Sequence, residues 1–185
     1  MIAVFAPGQG SQSPGMLAPW LELPGVPEQV AELSAAAGLD LARLGTTADA
    51  EEIKDTAVTQ PLIVALGEIV AGRLGLESDG ERVVAGHSVG ELTAAAVSGA
   101  LSGPEAVALA GRRGAEMAAA CALTPTGMPA LLGGEPDEVA AAIEAAGLVP
   151  ANRNGAGQIV AAGALDRLAE LAENPPAGAR VRPLA

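Results

Sequence analysis

A serine stands between two glycines in Gly86-His87-Ser88-Val89-Gly90, where the short apolar run Val83-Val84-Ala85 gives way to an amphipathic run beginning at Glu91. Strand, sharp turn and helix in that order make a nucleophile elbow. The two residues without side chains let strand and helix approach closely, while the serine is pushed to the tip of a strained turn. The chemistry of such a serine is acyl transfer: its hydroxyl attacks a carbonyl, and unpaired N–H groups at the helix N-terminus receive the developing oxyanion. The competing reading is an ordinary tight turn that holds a serine, because G-x-S-x-G recurs by chance in a chain with 24 glycines.

Arg112 and Arg113 add a cationic candidate. On a helix, Arg112 lies one turn from Ala108 and Glu116, whereas Arg113 lies one turn from Leu109 and Met117. Arg112 therefore faces solvent and Arg113 sits in an apolar line. An arginine against apolar surface needs a partner. A substrate carboxylate held bidentately would serve; so would a structural Asp or Glu, or water reached by snorkelling. Gln60, in Thr59-Gln60-Pro61, either reaches an adjacent site or satisfies free N–H groups as a cap-region amide. The loop from Gly8 to Gly15 is no phosphate cradle, because Ser13 stands where G-x-G-x-x-G needs its third glycine. It does offer backbone and amide donors at the C-terminal edge of a strand, where open α/β sheets place their sites.

The elements that position these residues follow from the apolar patterning. Ile2 to Ala6 reads as a strand stopped by Pro7-Gly8, and Pro27 to Ala37 as a helix stopped at Gly38. Asp40 to Leu44 and Ala48 to Lys54 read as short helical pieces, and Thr59 to Leu76 as a helix apolar nearly all round, hence buried. A polar turn at Glu77 to Gly80 leads into the elbow strand. The elbow helix runs from Val89 to Ala100, and the next from Ser102-Gly103-Pro104 to Ala122. After Thr124-Pro125-Thr126 come a strand at Met128 to Leu132 and a helix at Glu135 to Ala146. Strands at Leu148 to Asn152 and Gln158 to Ala162 follow, joined through Asn154 to Gly157. Leu165 to Glu173 is a helix and Ala179 to Leu184 a last strand. The pattern predicts an α/β fold: a mostly parallel sheet with helices in residues 1–123, and a ferredoxin-like βαββαβ unit in residues 124–185.

Composition excludes several classes. A formal charge of −12 with no cluster of basic residues argues against nucleic acid as a partner. One cysteine, Cys121, leaves no internal disulfide, and one histidine, His87, leaves no zinc set, so no metal is expected. The first apolar run is too short for a signal peptide and no run has the length of a membrane span. A cytoplasmic protein without a membrane partner is the expectation.

Five stretches together carry a family resemblance: Pro7-Gly8-Gln9-Gly10-Ser11-Gln12, Thr59-Gln60-Pro61, Gly86-His87-Ser88-Val89-Gly90-Glu91, Arg113-Gly114-x-x-Met117, and Ala151-Asn152-x-Asn154-x-x-Gly157-Gln158. In this order they resemble the malonyl-CoA:acyl carrier protein transacylases and the acyltransferase domains of polyketide and fatty acid synthases. The resemblance implies an α/β-hydrolase-like large subdomain and a ferredoxin-like small one. It also implies transfer of a malonyl group from CoA to the phosphopantetheine thiol of acyl carrier protein, with no bound cofactor. Ser88 would be the nucleophile, and the backbone N–H groups of Gln9 and Val89 the oxyanion hole. Arg113 would hold the malonyl carboxylate, and Gln9, Gln60, His87 and Met117 would line the substrate site.

One departure stands out. The general base in that family is a second histidine, on a segment following the ferredoxin-like unit, and this sequence has only His87. The expectation is a truncated large subdomain: a fragment, a chain completed by a second chain, or a degenerate relative. A serine hydrolase or thioesterase using the same elbow, or a non-catalytic piece, are the alternatives. Two anionic partners, CoA and carrier protein, also require a locally basic face, for which Arg73, Arg112 and Arg153 are candidates.

Overall fold

The structure, a computed structural model, describes residues 1–76 and 81–182. In chain order it contains β1 (Ile2–Ala6), α1 (Ala18–Leu21), α2 (Val26–Ala37), α3 (Leu41–Thr46), a 3₁₀ turn (Glu52–Lys54), α4 (Thr56–Arg73), β2 (Arg82–Gly86), α5 (Gly90–Val97) and α6 (Gly103–Leu123). There follow β3 (Thr126–Gly127), β4 (Ala130–Gly133), α7 (Pro136–Ala145), β5 (Val149–Asn154), β6 (Gln158–Ala164), α8 (Leu165–Glu173) and β7 (Ala179–Arg182). The chain forms two compact units, Met1–Ala119 and Ala120–Ala185. The expected turn at Glu77 to Gly80 and the end of the last strand at Leu184 lie outside the described residues.

In the first unit β1 and β2 pair in parallel from Ile2↔Arg82 to Ala6↔Gly86, so both strands end at the same edge. Helix α4 supplies the centre of the core: Leu62, Val64, Ala65 and Ile69 have no exposed surface, as its all-round apolar character requires. Its start corrects the sequence reading. The helix begins at Thr56 rather than at Thr59-Gln60-Pro61, because the Asp55 side chain accepts from the Ala57 N–H at 2.8 Å and caps it there. Pro61 is thereby left inside the helix, in its second turn, where its missing N–H gives up one i→i−4 bond, to the Ala57 carbonyl. The piece expected at Ala48 to Lys54 is reduced to one 3₁₀ turn, and α5 stops at Val97 rather than Ala100 because Gly99 turns left-handed, at φ 80°. Helix α1, with Pro19 in its first turn, is not among the expected elements.

The second unit is an antiparallel sheet in the order β5-β6-β4-β7, with α7 and α8 supplying Ile143, Leu168 and Leu171 against Leu131 and Ile159. The expected strand at Met128 to Leu132 is divided. Thr126↔Ala164 and Gly127↔Gly163 continue the register of Ala130↔Val160, so β3 and β4 are one strand interrupted at Met128-Pro129, where proline has no N–H to give. Strand β5 extends to Asn154, two residues beyond its expected end, and takes up a register shift between Pro150 and Asn152. No helix of the described residues is long and apolar enough to cross a membrane.

Candidate active site

The elbow is built by close backbone contact. A Cβ on Gly86 would lie 2.2 Å from the Gly90 carbonyl carbon and the Glu91 nitrogen, and one on Gly90 would lie 2.4 Å from the Ala6 carbonyl oxygen. Only glycine fits either position. Between them Ser88 takes φ 55°, one of two non-glycine residues with positive φ among those described. The strained conformation is held by hydrogen bonds on both sides. His87 N–H donates to Ala6 O, Gly90 N–H to His87 O and Glu91 N–H to Ser88 O, each at 3.0 Å. The Ser88 side chain is exposed at the edge where β1 and β2 both end.

The loop after β1 lies beside this turn. A Cβ on Gly8 would meet His87 O at 2.7 Å and His87 Nδ1 at 2.8 Å, so the loop packs against the histidine. Ser11 Oγ donates to Gly8 O at 2.9 Å and Gly10 N–H to Gln12 Oε1 at 2.8 Å, which fixes the loop's shape. Gln9 Nε2 donates to Thr56 Oγ1 at 3.1 Å, tying the loop to the first turn of α4. Among the described residues the backbone N–H groups of Gln9 and Val89 have no acceptor, which leaves both donors available to an oxyanion. Nothing in residue type or spacing singles out Thr56.

Arg113 reaches the serine from α6. Its Nη2 donates to Ser88 Oγ at 3.2 Å and its Nη1 to Gln60 Oε1 at 2.7 Å. Gln60 is fully buried, and its Nε2 donates to Met117 Sδ at 3.2 Å. It is therefore not a cap-region amide. Among the described residues Arg113 makes no ion pair, while the exposed Arg112 has no polar partner. Arg73 donates to Pro24 O at 2.6 Å, and Arg153 pairs with Asp137 at 2.9 Å.

The arrangement joins an exposed hydroxyl in a strained turn, two unpaired N–H donors, and a guanidinium whose partners are both uncharged. It can attack a carbonyl and hold an anionic group beside it. Among the described residues the Ser88 hydroxyl is bonded by Arg113 and not by the His87 side chain. Among the described residues no cluster of three or more His, Cys, Asp and Glu could hold a metal ion. An apolar cavity of about 220 Å³ takes in Pro7 and Ser11 but none of Ser88, Gln60 or Arg113.

The sequence matches the acyl transferase domain family over residues 4–182. It is 60% identical, over its whole length, to a malonyl CoA-acyl carrier protein transacylase of Mycobacterium tuberculosis and spans 62% of that relative. The crystal structure of MCAT from Mycobacterium tuberculosis superposes with a TM-score of 0.94 at 60% identity, covering all of this chain and 62% of that one. A complex of a type II PKS acyl-carrier protein with its malonyl-transacylase gives a TM-score of 0.83 at 29% identity, again over all of this chain and 62% of the other. The chain thus spans about 62% of the length of each of these relatives.

Proposed function

We propose, from the premise that this chain belongs to the acyl transferase domain family, that it carries the nucleophile and acyl-selecting half of a malonyl-CoA:acyl carrier protein transacylase acting in the cytoplasm. Ser88 Oγ attacks the thioester carbonyl of malonyl-CoA, the C–S bond breaks, and CoA leaves as the thiol. The phosphopantetheine thiol of a carrier protein then attacks the malonyl-serine ester and releases Ser88. Gln9 and Val89 N–H groups hold the oxyanion in both tetrahedral intermediates; one such donor stabilises the transition state by about 3 kcal/mol. The observation that carries the reading is Arg113: a guanidinium 3.2 Å from the nucleophile, with only neutral partners, suits an acyl group that ends in a carboxylate. His87, Gln60 and Met117 complete the walls of the acyl site.

The proton of Ser88 needs an acceptor, and the single histidine is not bonded to it, so the base is a group other than His87. The architecture fits the same reading. The first unit follows the strand-elbow-helix order of α/β hydrolases, and the second the strand order and alternation of a ferredoxin-like unit, which supports that subdomain reading.

Incubation with malonyl-CoA or acetyl-CoA, followed by peptide mass mapping, tests the proposal. A malonyl adduct should appear on the Ser88 peptide, and Arg113→Ala should lower the malonyl-to-acetyl labelling ratio by roughly tenfold or more, as loss of a charge-assisted pair implies. An adduct elsewhere, or a ratio that Arg113→Ala leaves unchanged, would remove the assignment.

A further inference from the structure

Gln60 is the most buried polar residue of the site, with no exposed surface, and both ends of its amide are engaged. The two bonds are not interchangeable. A thioether sulfur accepts hydrogen bonds and has no proton to donate, while a guanidinium donates and cannot accept. Met117 Sδ at 3.2 Å therefore requires the NH₂ end of the amide, and Arg113 Nη1 at 2.7 Å requires the oxygen. A flipped amide would set NH₂ against guanidinium and oxygen against sulfur, losing both bonds.

We propose that Met117 and Gln60 form a positioning relay for Arg113, in which the sulfur of Met117 selects the orientation of the Gln60 amide and the amide holds the guanidinium toward Ser88 without cancelling its charge. The neutrality of the holder is the functional point. A carboxylate at position 60 would fix the guanidinium equally well but would neutralise it, and a substrate carboxylate would then have to compete with an internal anion. An amide supplies the acceptor and leaves the positive charge to the ligand. The relay thus makes the acyl site selective for a group carrying one terminal carboxylate. This role deepens the malonyl-transfer reading and rests on it, whereas the hydrogen-bond arrangement of the relay does not.

Two readouts test it. The first is the ratio of Ser88 labelling by malonyl-CoA to labelling by acetyl-CoA. The second is solvent exchange of the Gln60 side-chain amide protons by ¹⁵N NMR, which needs no acyl substrate. Met117→Leu keeps the volume and removes the acceptor. It should speed exchange of the Gln60 amide and lower the labelling ratio about fivefold, the factor expected for one ordinary hydrogen bond. Met117→Gln, whose amide oxygen can accept from Nε2, should restore much of the ratio. Gln60→Glu should lower the ratio further, by about tenfold or more, through pairing with Arg113.

Faster exchange in Met117→Leu with an unchanged ratio, or equal losses of both labels, would overturn the positioning role. Unchanged exchange would overturn the relay itself. A wild-type chain that shows the exchange pattern but no malonyl preference would count against the malonyl reading while the hydrogen-bond arrangement stood.

Discussion

Ser88 occupies a conformation that costs a side chain about 1 to 2 kcal/mol, and it is held there by the hydrogen bonds of residues 87, 90 and 91. The strain serves the chemistry, because the same turn puts Oγ at the tip and the Val89 N–H beside it. Ser88→Gly should therefore raise the thermal unfolding midpoint or leave it level while eliminating acylation. A variant clearly less stable than the wild type would mean that the hydroxyl, and its bond from Arg113, contributes more than the strain costs. At this scale the elbow serine, its flanking glycines and the half-buried Arg113 were all legible in residue type and spacing. The partner of Arg113 was not. Position left a substrate carboxylate, a structural carboxylate and water open; among the described residues the protein's own partners for it are a neutral amide and a serine hydroxyl.

Strands β1 and β2 meet the site through their ends and α4 and α6 through side chains within them, so changes in these elements act at a distance from the chemistry. A methyl at Gly86 would sit 2.2 Å from backbone atoms of the next helix, which cannot turn aside as a side chain can. Gly86→Ala should destabilise the first unit by on the order of 3 kcal/mol and abolish Ser88 labelling, read by thermal unfolding and mass mapping on one sample. Helix α6, which carries Arg113, is started by a reciprocal cap: Ser102 N–H and Oγ both donate to Glu105 Oε2, at 2.8 and 2.7 Å, and Glu105 N–H donates back to Ser102 Oγ at 3.4 Å. The Ser102 hydroxyl first, and its backbone N–H second, hold the Glu105 carboxyl below the ordinary glutamate range. A lowered folded-state value means the cap's contribution is complete above the unfolded value and is lost as pH falls through the folded one. Glu105→Gln should therefore lower the unfolding midpoint at neutral pH and converge with the wild type in acid. A gap that persists in acid would assign the effect to packing. Capping also explains the misread start of α4, because Asp55 outweighed Pro61 as a signal.

Across the whole molecule, charge and chemistry are distributed unevenly. In the second unit the carboxylates lie on α7 and α8 or at their entry, whereas the described strands carry Arg153, Arg180 and Arg182 and no Asp or Glu. The single thiol, Cys121, is exposed in the last turn of α6, beyond the end of the first unit, and belongs to none of the site's hydrogen bonds. Maleimide should label it quantitatively, and the labelled protein should keep the malonyl-to-acetyl ratio at Ser88. A ratio changed by the label would place Cys121 near the acyl group.

What the sequence determined by itself is local. Glycine spacing, an apolar run before it and an amphipathic run after it make the elbow, because backbone conformation and strand or helix periodicity are set by neighbours along the chain. Strand and helix identities followed for the same reason, with errors at prolines, whose effect depends on whether a cap or a ladder bond lies nearby. The tertiary structure alone decided which side chains meet. Gln9 reaches Thr56 across 47 positions, Ser88 meets Arg113 across 25, and Gln60 meets Arg113 and Met117 across 53 and 57. Hydrogen bonds of that span depend on how α4 and α6 pack and on which donor ends face which acceptors. No periodicity in one segment encodes the orientation of an amide buried against another.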